Sequence, residues 1–378
     1  MMEPTQLSLS GERLLAVYEF AGPVELAESR ANALRVEQTI EFPADLVPDD
    51  DIQNEIIGRI ESLQPVGDEL ARAEVSYAVE TTGSELPQLL NVLMGNSGLL
   101  PGIRLIDFTL PASLSERLVG PRFGVAGLRK MFDAPTRPLL STALKPMGLS
   151  AERLAETAFD LAVGGIDMIK DDHSLADQPF ARFAERVARC ADAVRRANDQ
   201  TGLNTIYMPS INAPYDLLGQ RVHIALEAGV GGLLVLPGIT GFDHMRALAA
   251  DDDVAIPIMG HPAFLGAFSA SPTTGIAHRP LYGTLMRLAG ADLSIFPNFG
   301  GRFSFSPKEC RDIAEGLCEP IAGVFAALPA PGGGMTLDRV PEIKDFYGSD
   351  VALLVGGDLH RGESLVQSAA AFREAVES

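Results

Sequence analysis

The stretch Gly164–His173, with the sequence GGIDMIKDDH, predicts a buried strand that ends abruptly in charged side chains. Side chains alternate between the two faces of a strand, so Lys170 and Asp172 should point to one face and Asp171 to the other. Charges that crowd together after an apolar run are costly to bury unless they pair or hold an ion. The stretch therefore predicts either a structural Lys–Asp pair at the mouth of a barrel or one side of a functional site.

Length and charge narrow the class of protein. The chain has 378 residues, of which 46% are hydrophobic, and a formal net charge of −20. Such a chain can bury a sizeable core, as two domains or as one barrel with an extension. The charge argues against nucleic acid and anionic membranes as partners, since both select positive patches. Met1–Gln6 lacks a signal-peptide pattern and no apolar run approaches the roughly 20 residues of a membrane span, so we expect a cytoplasmic protein.

The first 120 residues mix strand and helix patterns. Predicted strands lie at residues 13–22, 35–42, 72–79 and 103–108. Leucines between residues 85 and 94 recur on one face of an amphipathic helix. This order of elements predicts a small α+β domain of ferredoxin-like type over residues 1–120.

From Pro138 onward, short apolar runs alternate with helical stretches. Eight runs can be identified, at Leu139–Leu144, Ile166–Ile169, Thr205–Met208, Gly232–Leu236, Ala255–Met259, Leu293–Phe296, Val324–Leu328 and Val351–Val355. Eight βα units predict a parallel (β/α)8 TIM barrel over residues 121–378. A doubly wound open sheet is the alternative, but the first βα turn lacks the G-x-G-x-x-G pattern of that architecture.

Functional residues of such a barrel lie at the carboxyl ends of its strands. The residues that follow the eight runs are Lys145, Lys170, Asp172, His173, Ser210, Asn212, Pro237, Gly238, His261, Asn298, Arg302, Gly332, Gly333, Gly334, Gly356, Gly357 and Asp358. Lysines, histidines and acids together suit a small anionic substrate. The two glycine clusters could offer backbone N–H groups to a phosphate, or could simply form turns.

Two motifs resemble those of the RuBisCO superfamily. Thr142–Ser150, TALKPMGLS, resembles the first-strand K-P-x-x-G-L-S motif of that family. Gly164–Asp172, followed by Gln178–Phe180, resembles its second-strand metal motif. The resemblance extends over most of the chain, including the α+β domain. Departures from the family pattern point to a RuBisCO-like protein (form IV) rather than a carboxylase.

The resemblance implies a role for each matching residue of the barrel. Lys145 matches the lysine that acts in proton transfer at the substrate carbon. Lys170 matches the lysine that is carbamylated and binds magnesium, and Asp172 matches its aspartate partner. His173 stands where the family has a third ligand, a glutamate. His261 matches a histidine at the end of the fifth strand.

At other positions the sequence either matches or lacks the residues that the family uses to bind phosphate and to catalyse carboxylation. The glycines that match phosphate-binding turns are Gly332, Gly333, Gly334, Gly356 and Gly357. Pro262 replaces a phosphate-binding arginine and Met147 replaces a second lysine of the first motif. Pro297–Phe303, which includes Arg302, replaces the mobile loop that carries the carboxylation lysine. Asn96 and Glu37 match residues that the neighbouring subunit supplies, so the resemblance implies at least a homodimer.

These losses argue against bisphosphate binding and CO₂ addition. An acid/base lysine, an ion site and a phosphate end remain, and this set suits enolate chemistry on a small phosphorylated sugar or sugar acid. Within the RuBisCO-like proteins, Lys-Asp-Asp-His and the shortened first motif most resemble members that break down branched sugar acids. That resemblance implies a lyase or hydrolase that decarboxylates or hydrolytically cleaves a 3-oxo-isoapionate-type substrate. One alternative is an enolase or isomerase of a methylthio-sugar phosphate, as in methionine salvage. Another is a non-catalytic sugar-phosphate-binding protein.

The presence of His173 allows more than one identity for the bound metal ion. Mg²⁺ prefers an all-oxygen octahedral shell, whereas imidazole suits zinc, iron or nickel. We expect Mg²⁺ at Lys170 and Asp172, with His173 uncoordinated. A softer divalent ion bound by Lys170, Asp172 and His173 is one alternative. A metal-free site, in which the Lys170 ammonium stabilises the oxyanion directly, is another. His173 could instead serve as a general acid/base.

Overall fold

Two units make up the chain in the computed structural model, which describes residues 5–48 and 50–378. The first four residues of Met1–Gln6, where no signal-peptide pattern is found, lie outside the described residues. One unit comprises the described residues up to Leu118 together with Leu265–Leu281 and Pro320–Val324. The other comprises Val119–Phe264, Tyr282–Glu319 and Phe325–Ser378. Domain limits at residues 120 and 121 stay a prediction.

Strands and helices alternate along most of the chain. The strands of the described residues are β1 (Arg13–Ala21), β2 (Arg59–Gly67), β3 (Leu70–Ala78), β4 (Ile103–Thr109), β5 (Leu139–Leu144), β6 (Met168–Asp171), β7 (Ile206–Met208), β8 (Leu233–Val235), β9 (Ile258–Gly260), β10 (Gly275–Ile276), β11 (Leu293–Pro297), β12 (Leu328–Gly332) and β13 (Ala352–Val355). The α-helices are α1 (Val24–Glu37), α2 (Leu86–Met94), α3 (Ala112–Ser115), α4 (Gly124–Met131), α5 (Ala151–Val163), α6 (Phe183–Thr201), α7 (Tyr215–Glu227), α8 (Pro237–Thr240), α9 (Phe242–Ala250), α10 (Gly266–Ser269), α11 (Leu285–Leu288), α12 (Pro307–Cys318), α13 (Val340–Tyr347) and α14 (Leu365–Glu377). No helix among the described residues is long and apolar enough to cross a membrane.

The first unit is built on a sheet with the strand order β10-β4-β1-β3-β2. β1 is antiparallel to both β3 and β4, and its side chains alternate between buried and partly exposed positions. The hydroxyl of the buried Tyr18 donates a 2.7 Å hydrogen bond to the carbonyl of Leu93, which attaches α2 to this sheet. The two-residue β10 pairs in parallel with β4, and the other strand pairs of this sheet are antiparallel. A mainly antiparallel sheet with helices on it is the predicted α+β arrangement.

The predicted strand at residues 35–42 is wrong. Residues 24–37 form α1, which starts after Pro23 and buries Ala27, Ala31 and Leu34. These three positions follow the four- and three-residue spacing of one helical face. Val36, Thr39 and Ile40 are β-branched and favour a strand at the end of α1. The helical spacing of the buried residues further upstream outweighs that preference.

All eight strands of the second unit are parallel, in the order β7-β6-β5-β13-β12-β11-β9-β8. Beyond β7, Ser210 forms a parallel bridge with Leu234 of β8, and the Leu234 N–H donates to the Pro209 carbonyl at 2.9 Å. These bonds join the two outer strands and close the barrel. The predicted (β/α)8 barrel preceded by an α+β domain is therefore confirmed. Its core includes Leu139, Met168, Met208, Leu234, Met259, Leu293, Leu328 and Ala352.

The seventh strand lies later than predicted. The run Val324–Leu328 is apolar, but the strand is β12, with the sequence LPAPG. Pro329 and Pro331 cannot donate backbone hydrogen bonds, so the sequence disfavours a strand there. Parallel pairing with β11 across all five of its residues overrides that signal. The shift places Gly332 at the end of β12, with Gly333 and Gly334 directly after it.

Candidate active site

The pairing register of β5 and β6 places the charged residues of these two neighbouring strands at one end of the barrel. Ala143 of β5 pairs with Lys170 of β6, and Leu144 pairs with Asp171. Lys145 and Asp172, the next residues of each strand, form an ion pair between the Lys145 amine and Asp172 Oδ2. Asp172 is buried, whereas 44% of the Lys145 side chain is exposed. This lysine is therefore accessible to a substrate at the mouth of the barrel.

Asp171 faces the opposite way, as the alternation of side chains predicts. Its Oδ2 accepts hydrogen bonds from Arg186 Nη2 at 3.1 Å and from the Ser210 N–H at 3.0 Å. Its Oδ1 accepts from the Tyr207 hydroxyl at 2.7 Å. Asp171 and Arg186 are both fully buried. The carboxylate thus ties β6 to α6 and β7, and it fixes the orientation of the residues on either side. Sequence reasoning did not identify Arg186 or Tyr207, which lie on other elements.

Lys170 is a buried amine on the interior side of β6. It is 2% exposed, and its Nζ donates to the Asp171 carbonyl at 3.0 Å. Burial, with a smaller contribution from the charge of Lys145, lowers the pKa of Lys170 to about 7. A substantial fraction of the side chain is therefore a neutral amine at physiological pH, able to accept a proton or to react with CO₂.

Two imidazoles stack beside these lysines. The rings of His173 and His261 lie 4.5 Å apart between centroids, with 16° between their planes. His173 Nδ1 lies 2.9 Å from Asp172 Oδ1. His261 Nδ1 accepts a 3.1 Å hydrogen bond from the Ala263 N–H, which leaves its proton on Nε2 in the neutral form. Burial and the charge of Lys170 lower the pKa of both histidines, that of His261 well below its usual value.

Arg302 adds a further positive charge to this site. It lies on the loop after β11, and its guanidinium sits over the Phe303 ring at 4.8 Å from the centroid. Its charge contributes to the lowered pKa of Lys145, for which burial is the larger cause, and to that of His173. Within the described residues no acidic side chain forms an ion pair with Arg302. The guanidinium is therefore free to bind an anionic substrate.

The first glycine cluster packs against the Arg302 loop. Gly333 and Gly334 have φ values of +96° and +66°. A Cβ atom on Gly301 would come within 3.1 Å of the Gly333 carbonyl carbon, and one on Gly334 within 3.1 Å of the Gly300 oxygen. A side chain at either position would crowd the facing backbone, and the positive φ at Gly334 also favours glycine. The two loops therefore form one backbone surface beside Gly332.

The second glycine cluster follows β13. A Cβ atom added to Gly356 or Gly357 would have no neighbour within 4 Å, so the space beside this backbone is open. Burial and the charge of Lys145 lower the pKa of His360, which ends the turn. This cluster thus lies at the same barrel end as the lysines.

Asn298 and Ser210, two other residues that follow barrel strands, support the structure locally. The Asn298 side chain is buried and its Oδ1 accepts a 2.8 Å hydrogen bond from the Tyr347 hydroxyl of α13. The Ser210 N–H is bound to Asp171, and its buried hydroxyl has no hydrogen-bond partner in the structure. Their backbones hold the strand ends in place.

Glu37 and Asn96 lie in the first unit, not in the barrel unit that contains the lysines. Asn96 Nδ2 donates to Glu37 Oε1 at 2.9 Å and to Glu41 Oε1 at 3.2 Å. Glu41 has a φ of +47°, a conformation rare for residues other than glycine. Sequence reasoning did not identify Glu41, because a left-handed backbone at a non-glycine residue leaves no sequence signal.

Without covalent modification of Lys170, the residues of the site do not form a complete set of metal ligands. Among the described residues, no three His, Cys, Asp or Glu side chains are grouped so that they could hold a metal ion. Asp172 and His173 touch, but an ammonium cannot coordinate a cation. A carbamate on Lys170 would supply the missing oxygen ligands. The residues present therefore fit a cation that prefers oxygen ligands, such as Mg²⁺, only when Lys170 is carbamylated.

Replacement of Lys170 by methionine should stabilise the protein at neutral pH. The folded-state pKa of about 7 lies below the unfolded value, so the cost of burying this amine is fully present below pH 7. It disappears as the pH rises toward about 10.5, the ordinary lysine value. In CO₂-depleted buffer at pH 7 we expect Lys170→Met to increase the free energy of unfolding by an amount on the order of a few kcal/mol.

Urea unfolding of both proteins between pH 7 and pH 10 measures this difference, which should shrink as the pH rises. Lys308→Met is the matched control, because that lysine side chain is 82% exposed. A Lys170→Met protein less stable than wild type at pH 7, or a difference independent of pH, would contradict the lowered pKa.

Comparisons with known proteins agree with the motifs. The family described as ribulose bisphosphate carboxylase large chain, catalytic domain, matches residues 124–298. Ribulose bisphosphate carboxylase-like protein 1 of Rhodopseudomonas palustris is 39% identical over 369 residues, which cover 97% of this chain and 98% of that protein. A 5-methylthioribulose-1-phosphate isomerase of Rhodospirillum rubrum is 39% identical over 367 residues, which cover 97% of this chain and 96% of the relative.

The structural comparison gives the same result. The crystal structure of a Rubisco-like protein from Rhodopseudomonas palustris superposes with a TM-score of 0.88 at 39% identity, covering 97% of each chain. The resemblance seen in the sequence motifs is thereby confirmed. This chain belongs to the RuBisCO-like proteins of the RuBisCO large-chain family.

Proposed function

We propose that this protein is an enzyme that isomerises a methylthio-substituted keto-sugar phosphate through an enolate. One observation carries the proposal: Lys145 and Lys170, at the ends of adjacent strands, both have a lowered pKa at the same barrel mouth. A relative of nearly equal length is named as a 5-methylthioribulose-1-phosphate isomerase. The methionine-salvage alternative from the sequence is therefore favoured over carbon–carbon cleavage.

The proposed chemistry needs only a base, an acid and a stabilised oxyanion. Lys145, which is partly exposed, removes a proton from a carbon next to the substrate ketone. The developing enolate oxygen is held by the positive groups around it. Return of a proton to the former ketone carbon, with transfer of the hydroxyl proton of the deprotonated carbon to the enolate oxygen, moves the carbonyl group by one carbon and completes the isomerisation. A positioned acid/base contributes about 10²–10⁴-fold to such a rate, and efficiency is highest when its pKa lies near the working pH.

A divalent cation would be held by Lys170, as its carbamate, together with Asp172, and His173 would join these ligands if the ion were softer than Mg²⁺. When bound, it would stabilise negative charge on the substrate oxygens. Mg²⁺, expected from the resemblance, stays a prediction. The phosphate would bind the backbone N–H groups of the two glycine clusters and the guanidinium of Arg302.

Replacement of Lys145 by alanine should abolish exchange of the substrate proton with solvent. We expect wild-type protein in D₂O with Mg²⁺ and bicarbonate to incorporate deuterium into 5-methylthioribulose 1-phosphate, as followed by ¹H NMR. Lys145→Ala should lower the exchange rate by at least about 10²-fold, since it removes the acid/base.

The control is Lys308→Ala, which removes an exposed lysine on α12 that pairs with Asp312. Exchange at the wild-type rate in Lys145→Ala would remove that residue from the mechanism. No exchange by wild-type protein would contradict the isomerase proposal and favour a binding protein.

A second candidate function is decarboxylation or hydrolytic cleavage of a 3-oxo-isoapionate-type phosphate. Arg302 favours it, because a cation that no described carboxylate pairs with, next to Lys145, suits a substrate carrying a carboxylate as well as a phosphate. The same NMR experiment with a ¹³C-carboxyl-labelled oxo acid separates the two functions. Release of labelled bicarbonate or of a labelled fragment supports cleavage, and an intact carboxyl group excludes it.

The active unit is proposed to be a homodimer in which Glu37 and Asn96 of one copy complete the site of the other. The hydrogen bonds from Asn96 to Glu37 and Glu41 order this cluster, and the family resemblance assigns two of its residues to the neighbouring subunit.

Two inactive variants should therefore restore each other's activity. In a dimer formed by the Asn96→Ala variant alone, or by the Lys145→Ala variant alone, each of the two sites lacks one residue. Co-expressed and randomly assorted, half of the dimers would contain one intact site, so we expect about a quarter of the wild-type activity. If Asn96 acted within its own copy, the mixture would stay inactive. Light scattering checks the dimer itself.

A further inference from the structure

Several large apolar side chains that follow barrel strands are exposed to solvent, among them Phe180, Tyr215 and Ile239, and three others lie within three residues of Lys145, His261 or Arg302. Met147 comes two residues after Lys145 and is 46% exposed. Phe264 comes three residues after His261 and is 66% exposed. Phe303 directly follows Arg302 and is 50% exposed. Each side chain thus belongs to a different loop, and each loop also carries a residue of the candidate site.

Phe264 is held in this position against its own backbone preference. Its φ is +71°, in the left-handed region, where a bulky residue other than glycine is rare and strained. Exposure of most of an aromatic ring also forgoes the stabilisation that burial would give. Strain of this kind persists where the surrounding structure enforces it, and it concentrates at ligand sites.

The residues that these side chains follow are close enough to act on one another. Lys145 forms an ion pair with Asp172, whose Oδ1 lies 2.9 Å from His173 Nδ1. The His173 ring in turn stacks on His261 with 4.5 Å between centroids. Phe303 is linked to the same group through its ring, which lies 4.8 Å from the Arg302 guanidinium carbon. The loops therefore bring apolar surface to the edge of a strongly charged site.

We propose that Met147, Phe264 and Phe303 form an apolar subsite that binds the thioether end of the substrate. Thioether and aromatic groups suit such an end, because sulfur makes favourable contacts with aromatic rings. The phosphate and ketone occupy the charged part of the site, and the apolar end lies against the three side chains. The identity of this end rests on the proposed function.

A matched pair of ligands tests the subsite. 5-Methylthioribulose 1-phosphate and ribulose 1-phosphate differ only in having a methylthio group or a hydroxyl at carbon 5. An apolar pocket discriminates such groups by about 10–100-fold. The readout is the ratio of kcat/KM for the two compounds or, if neither turns over, the ratio of their dissociation constants by calorimetry.

Phe264→Ala and Phe303→Ala should each lower the preference for the methylthio compound by about three- to tenfold. Phe325→Ala is the control, because Phe325 is also 66% exposed but precedes β12, at the opposite end of the barrel. Phe264→Asn separates binding from folding. Asparagine tolerates a left-handed backbone, so stability should be kept while the preference falls.

The outcomes distinguish this inference from the proposed function. Binding preference without turnover contradicts the isomerase and leaves the subsite supported. A preference in Phe264→Ala within about twofold of wild type, or no binding of either compound to wild-type protein, overturns the subsite. Dissociation of the oligomer in the phenylalanine variants, with the preference unchanged, would show instead that a second copy of the chain covers these side chains.

Discussion

The alternation of side chains along β6 is the constraint on which the site depends. Asp171 points outward, and Arg186, Tyr207 and the Ser210 N–H satisfy its two oxygens. Removal of one partner from such a buried pair typically costs about 3–5 kcal/mol, so this orientation is strongly held. Lys170 and Asp172 are consequently fixed on the interior side. The ion pair of Asp171 with Arg186 on the outer face of β6 therefore determines that the Lys170 amine lies on the inner face.

An amine in that position lowers stability but gains reactivity. Water would solvate the ammonium of Lys170, and the barrel interior does not, so its pKa falls to about 7. Lys145, Arg302 and Lys170 then concentrate positive charge at one barrel end in a chain whose net charge is −20. Such a local field attracts small anions even though the whole protein repels them. Burial, together with the charges of Lys170 and Lys145, lowers the pKa of His173 and His261, so that their neutral rings can accept protons or bind a cation.

Much of this arrangement could be predicted from local patterns. The period of two along Lys170, Asp171 and Asp172 correctly gave the faces of β6, and the eight apolar runs gave the closed barrel. Local patterns failed where tertiary contacts override them. Pairing with β11 makes a strand of LPAPG in β12, against the preference of its prolines. The alanine-rich face of α1 was missed because β-branched residues follow it.

Other features leave no trace in sequence patterns. Arg186 meets Asp171 from a helix 15 residues later, and only the fold brings them together. The left-handed backbones of Glu41 and Phe264 occur at residue types that carry no turn signal. Features of this kind arise where local preference and global structure disagree.

The pKa of Lys170 can be measured directly, because the chain contains only five lysines. Lysine labelled with ¹³C at Cε would give five resolvable signals, and Lys170→Met would assign one of them. A titration in CO₂-depleted buffer should show that signal with a midpoint near 7, well below the ordinary lysine value of about 10.5. Five signals that all titrate near that ordinary value would contradict the account of a buried, reactive amine at the end of β6.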